Sequence, residues 1–387
     1  MLMSFAFWRI PPISPHRVHV ICLPKESGHC VQEPLEQLVR DCRSLKQLHG
    51  YHRWPVTPQE KDFPLAFGLK IHHAPEMFER LLRVLWRPHN FYCVHVDSKT
   101  PLEIYQLVQD VTDCFDNVVM ADVRVDLVYL SITSLLSDVE CMRKAVNSTV
   151  PWKYYLNLSG QEFPLKTNLE IVQILSLLNG KNDVESYLPT HYVSSWFNFH
   201  HIIVNGSVYQ TKVKKEPFRY PIPIRKGSAY GAFSHEFLDF ALKSQLAREF
   251  IVWLVDTMAP DELFWATLNH LPGTPGGVRH PVSHRYGTVL SRAVVWEWDK
   301  YKCRSYVRGV CIFTASDLPW LGSRPELIAN KFDQVVDPIA LDCLEVALEE
   351  RTLLAYREAM FSPLDGPQRV GSLNWTFYLS LPHMKNV

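Results

Sequence analysis

The chain has 387 residues, of which 47% are hydrophobic and 21% charged, so it is long enough to bury the core of one large domain or of two ordinary ones. Lysine plus arginine (40) equals aspartate plus glutamate (40), and this neutral balance argues against general binding to nucleic acid or to anionic membrane surfaces. Aromatic residues make up 12% of the chain, which suits a sugar-binding cleft and an ordinary aromatic core equally well.

The regular elements are predicted to begin after residue 62, because residues 1–62 are rich in proline, histidine and charge and are expected to form a stem. Beyond them, strands alternate with helices whose apolar residues recur with a 3.6-residue period. In chain order we predict a strand at 67–72, a helix from Pro75, a strand at 91–96, a helix from Pro101, a strand at 117–120, a helix at 129–146, a strand at 154–158 and a helix over 169–178. Residues 347–387 are expected to form a poorly packed tail.

This alternation predicts an α/β fold, in which a parallel sheet is covered by helices on both faces, within a single domain over 63–346. Ligands of such sheets bind beyond the carboxyl ends of the strands. Asp97 directly follows the strand at 91–96 and is therefore a candidate functional residue. The alternative is that Asp97 only caps the next helix.

The nine cysteines are scattered singly, and the lack of any Cys-x-x-Cys pair excludes zinc-ribbon and thioredoxin-like sites. In a cytosolic protein they would be reduced thiols, whereas Asn-x-Ser/Thr sequons favour a secretory lumen, where disulfides form. The sequons stand at Asn147, Asn157, Asn205 and Asn374. Asn157 lies in an apolar run that is expected to be buried, and Asn147 and Asn205 are the predicted glycosylation sites.

The beginning of the chain fits a secretory protein poorly. The apolar run from Met1 to Trp8 stops at Arg9 and the prolines after it, well short of the roughly 20 residues that a membrane span needs. No later segment is a candidate span. Either an anchor lies outside this chain or the targeting is unusual.

Several familiar sites are excluded, because the sequence has no Gly-x-Gly-x-x-Gly, P-loop, His-Glu-x-x-His or Gly-x-Ser-x-Gly motif. The adjacent pairs His72–His73 and His200–His201 would point to opposite faces of a strand and make poor joint metal ligands. No Asp-x-Asp follows the strands on the nucleotide side, Asp97 included. A nucleotide-sugar enzyme without such an acidic metal clamp must neutralise its leaving diphosphate with arginine and lysine.

A series of collinear segments runs from about Phe63 to Leu344. They are Phe63-Pro-Leu-Ala-Phe, Ile71-His-His, Asn90-Phe-Tyr-Cys-Val-His-Val-Asp97, Trp152-Lys-Tyr-Tyr-Leu-Asn-Leu, Phe163-Pro-Leu-Lys-Thr-Asn-Leu-Glu-Ile, Gly227-Ser-Ala-Tyr230, Pro260-Asp-Glu-Leu-Phe-Trp-Ala-Thr267, Val310-Cys-Ile-Phe313, Asp317-Leu-Pro-Trp320 and Ala329-Asn-Lys-Phe-Asp333. In this order they resemble the core 2 β-1,6-N-acetylglucosaminyltransferase family.

The resemblance implies a GT-A-like glycosyltransferase fold, with a Rossmann-like nucleotide-binding half and a mixed acceptor-binding half. It implies an inverting, metal-independent enzyme that needs no cofactor and transfers N-acetylglucosamine from UDP-N-acetylglucosamine in β-1,6 linkage. The implied acceptor is an O-glycan such as Galβ1-3GalNAc on serine or threonine of a glycoprotein. Family members are Golgi type II membrane proteins with a lumenal catalytic domain, so we expect this chain to be held at the Golgi membrane.

The resemblance also assigns roles to individual residues on the donor side. Glu262 matches the catalytic base, a role that needs a carboxylate near the acceptor 6-hydroxyl, although an acid in the first turn of a helix is also common for electrostatic reasons alone. Arg308 and Lys331 match two diphosphate-binding cations, whose alternative is solvated surface charge. The positions that hold uridine and ribose fall on His72, Asp97 and Tyr129.

On the acceptor side, Glu185 matches a carboxylate that binds the acceptor sugars, and Trp296 and Trp298 match an aromatic acceptor contact. The alternative for the tryptophan pair is an ordinary place in the core. A basic pair that helps to hold the acceptor in the family falls near Tyr192 and Ser195, neither of which is basic. This departure leaves the donor chemistry intact and bears on the identity of the acceptor.

The family pattern further implies the disulfides. It pairs Cys93 with Cys141, Cys42 with Cys114, Cys303 with Cys311, and Cys343 with Cys22 or Cys30. Two alternatives to the main hypothesis stay open: a catalytically silent glycan-binding relative, and a transferase of this broader family that uses another donor sugar such as xylose.

Overall fold

The computed structural model describes residues 34–279, 289–361 and 373–384. Its strands are β1 (Leu65–Ile71), β2 (Phe91–Val96), β3 (Val118–Met120), β4 (Tyr154–Ser159), β5 (Glu162–Pro164), β6 (Asp183–Val184), β7 (Phe199–Val204), β8 (Ser207–Lys214), β9 (Gly231–Ser234), β10 (Arg292–Val294), β11 (Tyr306–Val307), β12 (Val310–Cys311) and β13 (Ile328–Asn330).

The α-helices in the same residues are α1 (Leu35–Leu38), α2 (Cys42–Leu48), α3 (Pro58–Asp62), α4 (Pro75–Leu85), α5 (Leu102–Asp113), α6 (Ile132–Val146), α7 (Asn168–Ser176), α8 (His191–Asn198), α9 (His235–Lys243), α10 (Gln245–Leu254), α11 (Pro260–His270), α12 (Leu318–Gly322), α13 (Pro338–Phe361) and α14 (Trp375–Ser380). Short 3-10 helices cover Tyr51–Arg53, Ala315–Asp317 and Pro382–Met384.

The main sheet has the order β3-β2-β1-β4-β9-β6. β1 pairs in parallel with both β2 and β4, and β2 pairs in parallel with β3, so the nucleotide side is a parallel sheet as the sequence predicts. β9 runs antiparallel to β4 and β6, which gives the sheet its mixed half. A smaller sheet of order β10-β13-β5 joins two strands from the second half of the chain to β5 from the first half.

The helices that alternate with the parallel strands pack on the sheet because their apolar residues fall on one face. α4 begins with Pro75 at its first turn, where a missing N–H costs no intrahelical bond. Its side chains Met77, Phe78, Leu81 and Leu82 are buried against the sheet. All six residues of β2 are buried, as expected for a strand covered on both faces. The predicted α/β class is confirmed.

One predicted helix begins later than its sequence pattern suggests. The pattern extends to Tyr129, but α6 starts at Ile132, with Ser131 as its N-cap. Leu130 takes a left-handed φ of 63°, which prevents the helix from extending back to Tyr129. Tyr129 therefore stands in a loop.

The expectation of an irregular stem is wrong for residues 34–62. Helices α1 and α2 and the 3-10 helix after them pack on the core of the domain, with Leu38, Leu45 and Tyr51 buried in the same cluster as the sheet residues. The apolar residues are few and widely spaced in this polar stretch, so the sequence pattern does not predict that these helices are packed. The rest of the predicted stem lies outside the described residues.

The expectation of a poorly packed tail is wrong as well. α13 runs across the predicted boundary near residue 347, and Leu348 and Ala355 on it are buried. Tyr378 on α14 is buried too, and its hydroxyl donates to the carbonyl of Pro325 at 2.8 Å. These contacts reach residues far away in sequence, which local patterns do not reveal.

Three of the implied disulfides are confirmed: Cys42–Cys114, Cys93–Cys141 and Cys303–Cys311. Cys343 is disulfide-bonded as well. Its two predicted partners, Cys22 and Cys30, lie outside the described residues. Each disulfide in this set closes a loop of the chain and restricts its unfolded state.

The sequons differ in their exposure. Asn147 follows α6 and is exposed, and Asn205 is exposed at the turn between β7 and β8. Asn374 is exposed at the start of α14, whereas Asn157 in β4 is fully buried, as expected. Glycosylation at Asn147 and Asn205 stays a prediction. Within the described residues, no helix has both the length and the apolar character to cross a bilayer.

Candidate active site

His72 and Asp97 lie side by side at the carboxyl edge of the parallel sheet. They directly follow β1 and β2, and the N–H of Asp97 donates to the carbonyl of Ile71 at 3.0 Å. Asp97 is only 6% exposed, and its Oδ1 accepts from the N–H of Lys99 at 3.0 Å. The alternative that Asp97 caps the next helix is wrong, because the N-cap of α5 is Pro101.

Arg308 reaches the same edge from a tight turn between β11 and β12. Arg308 and Gly309 have φ values of 55° and 74°, the left-handed pair that a two-residue hairpin turn requires. The Cys303–Cys311 disulfide closes this hairpin. The Arg308 guanidinium lies 4.6 Å from the centre of the Tyr129 ring, a cation–π contact.

Lys331 directly follows β13 and completes the cationic side of the site. Its backbone carbonyl accepts from the N–H of Phe313 at 2.9 Å, which fixes the segment. Burial lowers the pKa of Lys331, and the nearby charge of Arg308 lowers it further. Two cations therefore stand close together, an arrangement that suits a doubly charged anion.

The pKa of His72 links these residues electrostatically. Desolvation, helped by the charges of His73, Arg308 and Lys331 and opposed by that of Asp97, lowers the pKa of His72 to about 4. His72 is therefore neutral near pH 7. The predicted donor-side residues thus share one site at the end of the sheet.

Glu262 stands in the first turn of α11, which Pro260 begins and Ala259 precedes with a left-handed φ of 47°. Its carboxylate is 24% exposed, and its Oε2 lies 2.9 Å from Nζ of Lys226. Next to it, Asp261 is buried, and desolvation followed by repulsion from Glu262 raises the pKa of Asp261 to about 7. The partly exposed acid of this pair is the one that solvent or an acceptor can reach.

Tyr129 lies near both Glu262 and Arg308. The N–H of Ala259 donates to the carbonyl of Leu130 at 2.8 Å, which ties the Tyr129 loop to the start of α11. Burial raises the pKa of Tyr129; the charge of Glu262 raises it further and that of Arg308 lowers it, so both charges act on this one hydroxyl. Glu262 and Arg308 thus both lie near Tyr129.

The residues predicted for the acceptor side lie on two separate segments. Glu185 follows β6 and is buried, and its charge acts on both Lys226 and Tyr187. The rings of Trp296 and Trp298 stack at 5.0 Å with an angle of 6°. Trp298 is 69% exposed, so the alternative that this pair belongs to the core is wrong for Trp298.

The tryptophan pair is attached to the Arg308 turn. The N–H of Glu297 donates to the carbonyl of Gly309 at 2.9 Å, and Trp296 forms an isolated bridge with Val310. A displacement of the turn would therefore move both the cation and the aromatic surface.

A buried ionic layer supports the site from below. Lys70 Nζ lies 2.9 Å from Asp138, and Arg292 Nε lies 2.9 Å from Glu162. The Tyr230 ring is near both cations, 5.9 Å from Lys70 Nζ and 4.8 Å from the Arg292 guanidinium. Lys70 in this layer also acts on Asp261, because its positive charge lowers the pKa of that carboxyl.

Sequence reasoning missed Lys226, which directly contacts the predicted base. Its only signal is its position immediately before the Gly227-Ser-Ala-Tyr230 segment. Among the described residues, no group of three or more His, Cys, Asp or Glu side chains is arranged to hold a metal ion.

Comparisons with known proteins show the family of the chain. A sequence model of the Core-2/I-Branching enzyme family matches residues 65–322. The chain is 38% identical to β-1,3-galactosyl-O-glycosyl-glycoprotein β-1,6-N-acetylglucosaminyltransferase 3 of Homo sapiens, over 82% of this chain and 75% of that protein. It is 37% identical to the enzyme named β-1,3-galactosyl-O-glycosyl-glycoprotein β-1,6-N-acetylglucosaminyltransferase of Bovine herpesvirus 4 (strain DN-599), over 82% of this chain and 74% of the other.

A solved structure of the galactosyltransferase LgtC, in complex with donor and acceptor sugar analogues, matches 80% of this chain and 100% of that chain at 11% identity. Its TM-score of 0.33 is too low to add an argument about the fold. The family match and the curated relatives cover most of the chain; the matched residues include the site from His72 to Arg308, whereas Lys331 lies just beyond residue 322. The chain belongs to the core-2/I-branching enzyme family of glycosyltransferases.

Proposed function

We propose that this protein transfers N-acetylglucosamine from UDP-N-acetylglucosamine in β-1,6 linkage to an O-glycan such as Galβ1-3GalNAc on serine or threonine. The reaction is a single displacement with inversion, and it uses no metal. The observation that carries the proposal is that the Tyr129 ring contacts Arg308, while its loop is hydrogen-bonded to the start of the helix that carries Glu262, so a carboxylate and a cation lie close together. The relatives' names, β-1,6-N-acetylglucosaminyltransferases, support the choice of sugar and linkage.

In the displacement, Glu262 is the general base. The 6-hydroxyl oxygen of the acceptor attacks the anomeric carbon while its proton passes to the Glu262 carboxylate. The bond from the anomeric carbon to the diphosphate oxygen breaks, and UDP leaves with the bonding electrons. Because one face of the sugar is attacked and the other is vacated, the configuration at the anomeric carbon inverts.

Arg308 and Lys331 stabilise the departing UDP. Negative charge grows on the diphosphate as the bond breaks, and fixed cations stabilise such charge in the transition state. Arg308 can bond two phosphate oxygens at once, which a lysine ammonium cannot do with the same geometry. His72, Asp97 and Tyr129 hold the nucleoside, and Glu185 with Trp296 and Trp298 holds the acceptor sugars.

The test is a transfer assay with UDP-N-acetylglucosamine and Galβ1-3GalNAc-O-aryl in EDTA, comparing wild type with Glu262→Gln. The matched control is Glu236→Gln, since Glu236 is also in the first turn of a helix but is exposed on α9. We expect product from the wild type and the control, and a loss of at least about 100-fold in kcat for Glu262→Gln with UDP binding retained.

Other outcomes would identify the alternatives. A folded wild type that binds UDP but yields no product with any O-glycan acceptor would indicate a glycan-binding relative without catalysis. Transfer from UDP-xylose instead would change the donor. Activity that disappears in EDTA and returns with manganese would overturn the metal-independent mechanism.

We further propose that the catalytic domain works in the lumen of the Golgi apparatus and is held at its membrane. The disulfides Cys42–Cys114, Cys93–Cys141 and Cys303–Cys311 support an oxidising compartment, because cytosolic proteins seldom keep them. The exposed sequons at Asn147 and Asn205 support the same location. Removal of N-glycans from the protein made in mammalian cells is expected to increase its mobility on a gel, and Asn147→Gln with Asn205→Gln is expected to abolish most of that change.

A further inference from the structure

Lys226 contacts the predicted base directly. Its Nζ lies 2.9 Å from Oε2 of Glu262, and its side chain is only 12% exposed. Within the described residues, no group hydrogen-bonds the other oxygen of Glu262, Oε1. The carboxylate thus has one oxygen held by a cation and one oxygen open to a further partner.

The position of Nζ is fixed by contacts other than Glu262. It donates to the carbonyl of Gly227 at 2.5 Å and lies 5.8 Å from the ring centres of both Tyr187 and Trp196. The N–H of Gly227 in turn donates to the backbone carbonyl of Glu262 at 2.8 Å. The segment that carries Lys226 is therefore hydrogen-bonded to the helix turn that carries Glu262, and this bond places the two side chains next to each other.

The groups that face Glu262 come from several elements and are mostly acidic or neutral. They are Asp261 on α11, Tyr129 in the loop before α6, and Tyr187 in the segment after β6. Glu262 repels Asp261, and Glu185 adds a further negative charge to the pocket. Lys226 supplies the positive charge that offsets them at hydrogen-bond distance.

We propose that Lys226 is a positioning residue for catalysis: its ammonium is the counter-ion of the Glu262 carboxylate and fixes Oε2, so that Oε1 receives the proton of the acceptor hydroxyl. This inference rests on the proposed role of Glu262 as the base. Burial by itself disfavours the charge of Lys226, but the charges of Glu262, Tyr187 and Glu185 outweigh it and raise its pKa.

The pH dependence of kcat/KM distinguishes this role from a purely structural one. An opposite charge at such a distance typically moves a protonation equilibrium by about 1–3 pH units. In Lys226→Met the acidic limb of the profile is expected to move to higher pH by roughly this amount, and kcat is expected to recover at the alkaline end. Lys226→Arg is expected to restore the limb, and KM for UDP-N-acetylglucosamine should stay unchanged.

The matched control is Lys243→Met, since Lys243 is exposed and pairs with Asp239 four residues away on α9, remote from the cleft. Its profile should coincide with that of the wild type. A uniform loss of kcat in Lys226→Met at every pH, with the acidic limb unmoved, would overturn the proposal.

A second readout needs no activity. In protein labelled with 13C at glutamate carboxyl carbons, the resonance that Glu262→Gln removes is followed against pH. Its midpoint is expected to be higher in Lys226→Met than in wild type or Lys226→Arg, and an unchanged midpoint would refute the proposal. If Glu262→Gln keeps full activity while this midpoint moves, the role of Glu262 as base fails, but its coupling to Lys226 stands.

Discussion

Arg308 holds its guanidinium 4.6 Å above the ring of Tyr129, although the two residues lie on different elements and far apart in sequence. The contact joins the hairpin of β11 and β12 to the loop before α6. That loop is itself bonded to the start of α11, which carries Glu262. One aromatic ring thus sets the spacing between the proposed base and a proposed leaving-group cation.

Replacing the Tyr129 ring tests this relationship. Because an exposed cation–π contact is worth about 0.5–1 kcal/mol, Tyr129→Leu is expected to lower kcat/KM roughly two- to fivefold by releasing the Arg308 side chain. Tyr129→Phe keeps the ring and should stay close to wild type. Steady-state kinetics with varied UDP-N-acetylglucosamine measure both variants; an equal loss in both would indicate that the hydroxyl, not the ring, matters.

Trp298 offers a test of the acceptor side alone. Its ring is exposed and stacks on Trp296, so its outer face is open to a sugar. Aromatic stacking contributes about 0.5–1.5 kcal/mol beyond area burial, so Trp298→Ala is expected to raise KM for the Galβ1-3GalNAc acceptor roughly two- to tenfold. KM for UDP-N-acetylglucosamine should not change. An increase in the donor KM alone would move Trp298 to the donor side.

The sequence predicts the donor edge well because that edge follows from strand order. Asp97 stands at the end of an apolar run, and parallel strands bring their ends to one edge, where His72 lies beside it. The motifs of the family then assign Glu262, Arg308 and Lys331, and the structure brings these residues together.

Other features depend on contacts that no local pattern reveals. Nothing in the spacing of residues 226 and 262 indicates that Lys226 pairs with Glu262, since the pairing arises where the segment before β9 meets the start of α11. Apolar periodicity likewise continues through Tyr129, and only the left-handed Leu130 ends the helix there. The packing of the C-terminal helices is not predictable from local patterns either, because it depends on distant contacts such as the hydrogen bond from Tyr378 to the carbonyl of Pro325.

The raised pKa of Asp261 predicts that the free energy of unfolding depends on pH. Burial raises its pKa from 3.8 to about 7, so the folded protein binds more protons than the unfolded chain between these values. The free energy of unfolding should therefore fall with rising pH through this window and level off above it, as far as Asp261 contributes.

Asp261→Asn is expected to remove that contribution. A tenfold change in the protonation equilibrium is worth about 1.4 kcal/mol, so the variant should gain stability relative to wild type as pH rises from 4 to 8, on the order of 1–3 kcal/mol. Urea unfolding followed by circular dichroism at several pH values measures this difference. A difference between variant and wild type that is independent of pH would show that Asp261 is already ionised in the folded protein.

Replacing Arg292 is expected to lower the free energy of unfolding by a large amount. Its side chain is fully buried, pairs with Glu162 at 2.9 Å and also bonds the backbone carbonyl of Asn157. Arg292→Met would leave the Glu162 carboxylate buried without its cation, and removing one partner of a buried pair costs about 3–5 kcal/mol.

The control for this prediction is Arg143→Met, because Arg143 is largely exposed and pairs with Glu140 at 2.8 Å on the same helix. Such surface pairs contribute about 0.5 kcal/mol or less, so the control should unfold at nearly the wild-type urea concentration. If Arg292→Met is no less stable than Arg143→Met, the buried pair contributes little net stability, and methionine packs there as well as the ion pair does. In that case Arg292→Met should still bind UDP, since Arg292 itself is not among the residues proposed to contact the donor.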